Sequence, residues 1–364
     1  MSKFRWAYIG SGNIAYSTAR QITNGEHEIV SVYSRNQEKA KAFAEKFSAK
    51  AYDSFDEAVF RDEVDGVYIA TPHTSHVDYA VKAMKGGKSV LCEKPVGVSG
   101  KDVDMLIRTS KETGVYFCEA MWTWFSDVAL TVRKWVDSGE IGQVKEVKIY
   151  YAFPGMFMAK DSRVRMPETA GGALLDIGIY PITYCYNLFG FPKKIECKGK
   201  IKDGIDAAET VILSYDGFRC VLKMSLYSLK ESCVVKGTQG KISFPTFFHM
   251  ASKVVLKNGK GKTVFNGKTV DFFENDAAFG DVIFQKEAKN TLSFMCDGGA
   301  NAVTAADADD NLVQLGIIHK VTLGAHLGNT GFLCFNQFSK SFFGFVYRYH
   351  DQKLLSFISA FFHG

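Results

Sequence analysis

The sequence predicts an α/β half followed by an α+β half, with a doubly wound parallel sheet first and an open, mainly antiparallel sheet second. Three observations lead to this prediction. The chain has 364 residues, about twice the size of a common domain. Through the first third, short apolar runs alternate with helix-length amphipathic stretches, which is typical of βαβ units. From about Gln143, strand-like runs follow one another and are separated by turn residues.

The N-terminal half contains five candidate strands and three candidate helices. The strands are short, apolar and rich in β-branched residues, and they span 5–9, 29–34, 67–70, 90–92 and 115–118. The helices are rich in Ala, Lys, Glu and Met, and they span 36–47, 76–85 and 99–113. In a doubly wound sheet, ligands bind at the carboxyl ends of the strands.

The C-terminal half contains seven candidate strands, at 144–153, 194–201, 210–214, 219–225, 233–236, 241–244 and 253–256. Two helices are predicted after them, at 287–297 and 309–320, and nothing is assigned beyond that point. The last 44 residues contain nine phenylalanines and no proline or glutamate. We therefore predict a first domain at 1–120, a second at 121–320, and an unassigned Phe-rich C-terminal extension at 321–364.

Composition excludes several classes of protein. Hydrophobic residues make up 46% and charged residues 23%, which is typical of a folded globular chain. The 44 basic and 39 acidic residues are interspersed along the sequence, so no basic stripe predicts nucleic-acid binding. The apolar stretch 342–362 has charges at its centre, which excludes a membrane span. The eight cysteines are scattered, and without a signal region they predict reduced thiols in a cytoplasmic protein. No pair of His or carboxylate residues has the spacing of a metal site.

A glycine-rich turn follows the first strand. Gly10-Ser-Gly12-Asn13-Ile14-Ala15 links an apolar run to a helix, which is the context that a dinucleotide-binding turn requires. Gly10 allows the tight turn, Gly12 allows the pyrophosphate to approach the backbone, and Ala15 allows the helix to pack closely on the strand. Amides at the helix N-terminus then face the phosphates.

The end of the second strand predicts which dinucleotide binds. An acidic residue at this place accepts a hydrogen bond from the ribose 2′-hydroxyl of NAD, whereas a basic residue binds the 2′-phosphate of NADP. Here the strand ends in Ser34-Arg35 without a carboxylate. Ser34 can donate to a phosphate, and Arg35 can pair with it. We therefore predict NADP as the cofactor, with NAD the less favoured alternative.

Three further motifs carry polar residues. Thr71-Pro72-His73-Thr-Ser-His76 follows the candidate strand at 67–70, Glu93-Lys94-Pro95 follows the one at 90–92, and Asp176-Ile-Gly-Ile-Tyr180 lies beyond Gly171-Gly172. The first two fall at the sheet edge where a nicotinamide would bind. Taken singly, each also has a purely structural explanation, such as a surface lysine, a helix cap or a buried core tyrosine.

Together, in this order, the motifs resemble the Gfo/Idh/MocA (glucose-fructose oxidoreductase/inositol dehydrogenase) family. The segment from Phe117 to Thr123, the 237–240 turn and Glu287-Ala-Lys look most like the branch that contains dimeric dihydrodiol dehydrogenase and NADP-dependent D-xylose 1-dehydrogenase. The resemblance implies a Rossmann domain and hydride transfer between nicotinamide and a carbinol carbon of a sugar, polyol or trans-dihydrodiol. It also implies a homodimer or higher homo-oligomer.

The resemblance assigns roles to individual residues. Lys94 is expected beside the substrate hydroxyl, Tyr180 as the general acid–base, and Asp176 on the same helix face four residues earlier. The Lys94 ammonium is expected to bring the phenol pKa of Tyr180 towards neutrality, and a cis peptide before Pro95 would aim the lysine. The expected cofactor contacts are Gly10, Gly12, Asn13, Ile14, Ser34, Arg35, Thr71, Pro72, His76, Glu93 and Lys94. The expected substrate walls are Trp122, Trp124 and Phe153.

Two alternatives stay open at this point. The first is an NAD-dependent glycoside hydrolase of the same family, which oxidises and re-reduces its sugar without net redox change. The second is a non-catalytic NADP-binding sensor, which the presence of Lys94, Asp176 and Tyr180 disfavours.

Overall fold

The computed structural model describes residues 3–22, 27–245 and 247–267, together with the backbone of the short strand Leu333–Cys334. The side chains of residues 21, 22, 124 and 125 are not part of this description. The helices predicted at 287–297 and 309–320 lie outside the described residues, and so does the rest of the 321–364 extension. The three predicted domain limits stay predictions.

The N-terminal half is a six-stranded, fully parallel sheet in the order β3-β2-β1-β4-β5-β6. Its strands are β1 (Phe4–Ile9), β2 (His27–Tyr33), β3 (Lys50–Tyr52), β4 (Gly66–Ile69), β5 (Ser89–Glu93) and β6 (Phe117–Ala120). Its helices are α1 (Asn13–Ile22), α2 (Gln37–Phe47), α3 (Phe55–Val59), α4 (His76–Lys85) and α5 (Gly100–Thr113). Apolar clusters cover both sheet faces. The predicted doubly wound parallel sheet is confirmed.

Local capping explains why the helix limits were predictable. The Asn36 side chain accepts a hydrogen bond from the Lys39 amide at 2.9 Å and so caps α2. Ser99 and Asp102 form a capping box at the start of α5. Sequence patterns missed the short β3 and α3. The strand predicted at 115–118 begins instead at Phe117, since the chain first leaves α5 through the left-handed Gly114.

The C-terminal half is built on a second sheet in the order β14-β13-β12-β11-β7-β10-β9-β8-β15. Every pair is antiparallel except β7 with β10, so the predicted mainly antiparallel sheet is confirmed. The strands are β7 (Val144–Ala152), β8 (Lys194–Lys202), β9 (Ile205–Tyr215), β10 (Phe218–Ser225), β11 (Lys230–Gly237), β12 (Gly240–Ser243), β13 (Lys253–Asn258), β14 (Gly261–Asn266) and β15 (Leu333–Cys334).

Helices α6 (Asp127–Asp137) and α7 (Ile179–Phe189) pack on one face of this sheet, and a π-helical turn, Leu174–Gly178, leads directly into α7. The sequence patterns predicted neither α6 nor β14. Because the π-turn runs into α7, Asp176 and Tyr180 lie on consecutive helical turns, as the sequence spacing required. None of the helices in the described part of the chain has the length and apolar composition needed to cross a bilayer.

The other face of the second sheet gathers charges that are interspersed in the sequence. Lys236, Lys241, Lys257 and Lys262 lie on four adjacent strands in direct register, and all four are exposed. Their strand neighbours, such as Val235, are buried in the core on the face that carries α6 and α7. We call these four residues the lysine row. Like charges directly opposite one another are unfavourable in a sheet.

Candidate active site

The glycine turn after β1 has the geometry expected of a dinucleotide-binding loop. Gly10 has φ +108°, and a Cβ at this position would lie 2.4 Å from the Ala70 carbonyl oxygen. A side chain here would therefore clash with the end of β4, and only glycine fits. A Cβ at Gly12 would meet nothing within 4 Å, and Asn13 at the start of α1 is exposed. The α1 N-terminus thus opens onto free space, while Ala15 is fully buried.

The end of β2 lies next to this turn. The Gly10 amide donates to the Tyr33 carbonyl oxygen at 2.8 Å, so the next two residues, Ser34 and Arg35, follow at the same edge of the sheet. Arg35 is exposed, and Ser34 is half-buried. Asn36 is used as the helix cap, which leaves Arg35 to supply the positive charge at this strand end. The structure thus brings Ser34 and Arg35 to the place that distinguishes NADP from NAD.

The loop after β4 contains two buried histidines. His73 Nε2 lies 3.0 Å from Arg163 Nη1, and since arginine only donates, Nε2 accepts and the ring proton is on Nδ1. Burial, with help from the nearby Arg163 and Lys94 charges, lowers the pKa of His73 to about 2. The neutral ring therefore offers an N–H at Nδ1, which has no hydrogen-bond partner among the described residues.

His76 is fully buried. Its Nε2 lies 2.7 Å from the Thr71 carbonyl oxygen, and its Nδ1 lies 2.8 Å from the Pro95 carbonyl oxygen. The ring thus links the loop after β4 to the loop after β5. The structure places His76 between these loops, and its predicted contact with the cofactor stays a prediction.

Lys94 joins the two halves of the molecule. The Lys94–Pro95 peptide is cis, as expected from the sequence. Lys94 Nζ donates to the main-chain oxygen of Asp176 at 2.9 Å, lies 4.0 Å from Asp176 Oδ1, and sits 4.8 Å from the centre of the Tyr180 ring. The three residues predicted to be catalytic therefore come together in one cluster.

Arg163 completes this cluster, and sequence reasoning missed it. Its Nη2 donates to Asp176 Oδ1 at 2.8 Å, while Nη1 binds His73. Burial acts to raise the pKa of Asp176, but the Lys94 and Arg163 charges outweigh burial and hold it below its ordinary value. Asp176 is therefore an anion between two cations. Arg163 lies in the loop that follows β7, and a single arginine in a loop carries no sequence signal of its own.

Tyr180 is 7% exposed, and its phenol hydrogen-bonds the Trp122 side chain. Because the indole N–H can only donate, the phenol oxygen accepts. Burial raises the pKa of Tyr180 above its ordinary value, although Lys94 acts to lower it. The sequence-based expectation of a phenol pKa near neutrality is therefore wrong for this structure, since burial outweighs the ammonium.

The predicted substrate walls have different outcomes. Trp122 is 9% exposed, and its ring centre lies 6.1 Å from that of Tyr180. Phe153 is partly buried and packs on the core of the second sheet. Trp124 belongs to the 3₁₀ turn Trp122–Phe125, but its side chain lies outside the described residues. A substrate contact for these residues stays a prediction.

A second polar group lies beside Tyr180, and no sequence motif indicated it. His249 Nδ1 is 2.8 Å from Glu231 Oε2, and Nε2 is 3.1 Å from the Tyr151 hydroxyl. The His249 ring centre is 5.3 Å from that of Tyr180. Glu231 Oε2 accepts from His249 Nδ1–H, and the Tyr151 hydroxyl lies within hydrogen-bond distance of the other ring nitrogen. These residues come from β11, β7 and the turn Phe248–Met250, which only the fold brings together.

Two glutamates flank the Lys94 turn, Glu93 half-buried and Glu119 buried. Glu93 Oε1 accepts from the Tyr68 hydroxyl at 2.6 Å, and Oε2 accepts from the Lys94 amide at 3.3 Å. Glu119 Oε1 accepts from the Val96 amide at 3.2 Å. Burial raises the pKa of both carboxyls, and that of Glu119 to about 7.

The residues of the crevice fit a nicotinamide dinucleotide. Gly10 and Gly12 leave the α1 N-terminus accessible to phosphates. The buried Nδ1–H of His73, without a partner in the described part of the chain, is a donor available to a bound group. Both features lie at the carboxyl edge of the parallel sheet, where this fold binds ligands.

Two family models match the chain. The model described as "Oxidoreductase family, NAD-binding Rossmann fold" matches residues 4–120. The model described as "GFO/IDH/MocA C-terminal domain" matches residues 129–243. Both sheets therefore have counterparts in one family, and the N-terminal sheet belongs to an NAD(P)-binding Rossmann fold.

Curated relatives agree with this match. Trans-1,2-dihydrobenzene-1,2-diol dehydrogenase from Mus musculus is 32% identical over 270 residues, covering 71% of this chain and 79% of the relative. The scyllo-inositol 2-dehydrogenase (NADP(+)) of Bacillus subtilis is 34% identical over 267 residues, covering 71% and 80%. D-xylose 1-dehydrogenase (NADP(+)) from Hypocrea jecorina is 28% identical over 301 residues, covering 71% and 77%.

Solved structures share the fold. A crystal structure of a 3-ketoreductase from Actinomadura kijaniata in complex with NADP has a TM-score of 0.72 and 20% identity, and the match covers 89% of this chain and 98% of that chain. The named relatives are dehydrogenases that act on hydroxyl groups. This chain is an oxidoreductase that belongs to the Gfo/Idh/MocA family.

Proposed function

We propose that this oxidoreductase uses NADP to oxidise a carbinol carbon of a sugar, polyol or trans-dihydrodiol, or to reduce the corresponding carbonyl. The observation that carries the proposal is the cluster of Lys94, Asp176 and Tyr180, in which an ammonium contacts a carboxylate residue and a phenol ring. The cluster lies at the edge of the sheet where nicotinamide binds in this fold. NADP, when bound, supplies the hydride acceptor or donor.

In this proposal Tyr180 moves the proton. During oxidation its phenolate oxygen accepts the proton of the substrate hydroxyl, and during reduction the phenol returns it. Trp122 donates a hydrogen bond to this oxygen, so it stabilises the phenolate. Lys94 also favours the phenolate, and its positive charge stabilises the negative charge that develops on the substrate oxygen.

Asp176 and Arg163 keep Lys94 in place. The ammonium donates to the Asp176 main-chain oxygen, while the carboxylate balances the lysine charge from 4.0 Å. Arg163 holds that carboxylate on its other side at 2.8 Å. Burial acts to lower the pKa of Lys94, but the nearby Tyr180 and Asp176 outweigh burial and raise it. Lys94 is therefore charged over the physiological pH range.

NADP is proposed over NAD because of Ser34 and Arg35. The exposed guanidinium lies at the end of β2 with no neighbouring carboxylate in the Val32–Asn36 segment. The names of two relatives and the structure of a fold neighbour include NADP. The substrate classes come from the relatives' names, and the aromatic rings of Trp122 and Tyr151 beside Tyr180 suit the apolar face of a sugar ring or an arene.

A turnover screen tests the proposal. NADP⁺ and NAD⁺ are each supplied with D-xylose, D-glucose, scyllo-inositol and a trans-dihydrodiol, and reduced cofactor is followed by its absorbance. We expect NADPH formation with at least one of these compounds and slower turnover with NAD⁺. Folded protein that reduces NADP⁺ with none of them would refute the assignment. Cleavage of an aryl glycoside without net redox change would instead favour the glycoside hydrolase.

We also propose a cytoplasmic homodimer. The six cysteines in the described ranges are buried thiols outside any disulfide, which suits a reducing compartment. The proposal of a dimer rests on the family resemblance. Light scattering of the purified chain measures the mass directly, and a monomeric mass at all concentrations would contradict it.

A further inference from the structure

A buried carboxyl without an assigned role lies beside the Lys94 turn. Glu119, on β6, is 2% exposed, and its Cα pairs with that of Cys92 on β5. Oε1 accepts from the Val96 amide at 3.2 Å, while Oε2 has no hydrogen-bond partner among the described residues. A carboxyl buried in this way costs stability. Its hydrogen bond to Val96 is made to the turn that carries the candidate catalytic lysine.

The peptide between Pro95 and Val96 has a side chain within hydrogen-bond distance of each of its polar groups. His76 Nδ1 lies 2.8 Å from the Pro95 carbonyl oxygen, and Glu119 accepts from the Val96 N–H. On the other side of Lys94, its own amide donates to Glu93 Oε2 at 3.3 Å. The backbone is therefore fixed on both sides of the lysine, which limits the directions that its side chain can take.

We propose that Glu119 is a positioning residue for Lys94, acting through the Val96 amide to fix the turn whose ammonium contacts Asp176 and Tyr180. The inference rests on the proposed function, in which Lys94 stabilises the substrate oxygen. Lys94 Nζ reaches the Asp176 main-chain oxygen at 2.9 Å, and hydrogen bonds of this kind weaken steeply as their geometry degrades. A turn released at Val96 moves the ammonium away from the position that catalysis needs.

The protonation of Glu119 is consistent with this role. Burial raises the pKa of Glu119 to about 7. The Lys94 charge acts to lower this pKa, and the Glu93 charge acts to raise it. A carboxylic acid and a carboxylate both present an acceptor oxygen to an N–H. The contact with Val96 therefore survives protonation, and a neutral amide side chain of the same shape should serve as well.

Two substitutions separate positioning from a general effect on folding. Glu119→Gln keeps an acceptor oxygen for Val96, whereas Glu119→Leu removes it and leaves a buried N–H without a partner. We expect Glu119→Gln to stay within about twofold of the parent kcat, and Glu119→Leu to lose roughly 10- to 100-fold, the range for a buried hydrogen-bonding group left unpaired. The Kd for NADP⁺, measured separately by fluorescence titration, should change by less than about threefold in both variants.

The pH profile of kcat for oxidation adds a readout that loss of stability alone does not move. Burial raises the pKa of Tyr180 and the Lys94 charge opposes this rise, so a displaced ammonium leaves the pKa of Tyr180 still higher. Oxidation needs the phenolate, and the rise of kcat should therefore move to higher pH in Glu119→Leu and stay in place in Glu119→Gln. The kcat comparison and the pH profile both use the best substrate of the turnover screen.

Hydrogen exchange tests the contact without using activity. Amide exchange in the 94–98 peptide should be faster in Glu119→Leu than in the parent and unchanged in Glu119→Gln. Parent-like exchange in Glu119→Leu would overturn the inference, and so would unchanged kcat or equal losses in the two variants. If the parent turns over none of the substrates, the proposed function fails, while the exchange comparison still decides whether Glu119 holds the turn.

Discussion

Arg163→Gln tests whether two cations hold Asp176 ionised. Arg163 Nη2 contacts Asp176 Oδ1 at 2.8 Å, and the carboxylate side chain is 11% exposed. A hydrogen bond between charged groups is worth roughly 1.5–3 kcal/mol. The arginine side chain is 40% exposed, so solvent screening places the value at the lower end, about 1.5 kcal/mol. This corresponds to about one pKa unit and about a tenfold change in an equilibrium.

The sign of the pH effect follows from the direction of the pKa shift. The pKa of Asp176 is held low in the folded protein, so activity that needs its carboxylate is present above that pKa and is lost as the pH falls through it. Removing the guanidinium raises this pKa. The acidic limb of kcat/KM should therefore move about one unit to higher pH, as measured for reduction with NADPH and the carbonyl form of the best substrate of the screen, since reduction uses the protonated phenol of Tyr180.

Arg165→Gln is the matched control. Arg165 lies in the same 3₁₀ turn, Arg163–Arg165, but pairs with Asp203 at 3.2 Å instead of Asp176. Its replacement should leave the acidic limb in place. If the acidic limb of the kcat/KM profile stays in place in Arg163→Gln, or moves equally in both variants, the reasoning that Arg163 sets the ionisation of Asp176 is refuted.

Three further predictions concern the acid–base group, the cofactor and the assembly. Tyr180→Phe should lower kcat by about 100- to 10,000-fold. Tyr184→Phe is the control, because it removes a buried hydroxyl that has no partner among the described residues, and it should leave kcat unchanged. Equal losses of kcat in the two variants would contradict the role of Tyr180. Arg35→Ala should raise the Kd for NADP⁺ by about tenfold or more and the Kd for NAD⁺ by less than about twofold. Lys41→Ala on α2 is the control and should change neither Kd. Equal increases in Kd for both cofactors in Arg35→Ala would contradict the NADP assignment. If two copies pair through the face that bears the lysine row, salt should strengthen the dimer because it screens like charges. The dimer dissociation constant, measured by sedimentation, should therefore fall when NaCl is raised from about 0.1 M to about 1 M. A rise of this constant with salt would exclude that mode of pairing.

Features that depend on neighbouring residues could be predicted from the sequence. The strand–turn–helix around Gly10 is local, and so are the caps at Asn36 and Ser99. The i, i+4 spacing also placed Asp176 and Tyr180 correctly once the stretch proved helical. The carboxyl ends of parallel strands meet at one edge, which is why Lys94 could be assigned to the crevice.

The rest depends on contacts between distant segments. Arg163 and His249 sit in no recognisable motif and act through contacts with other segments. Glu119 lies in the 117–123 segment that supports the resemblance, but its contact with Val96 depends on the fold. The lysine row exists only because four strands pair in register. The pKa of Tyr180 was mispredicted because the neighbouring ammonium was considered without burial, which is a property of the folded chain.

Lys94→Met, measured by NADP⁺ reduction and by NADP⁺ binding in the same preparation, tests whether the ammonium carries the chemistry of this site. Methionine keeps much of the length and packing of the side chain but removes the charge that contacts Asp176 and Tyr180. We predict that turnover falls by about 100-fold or more while the Kd for NADP⁺ changes by less than about threefold. Parent-like turnover in Lys94→Met would contradict the role assigned to the lysine.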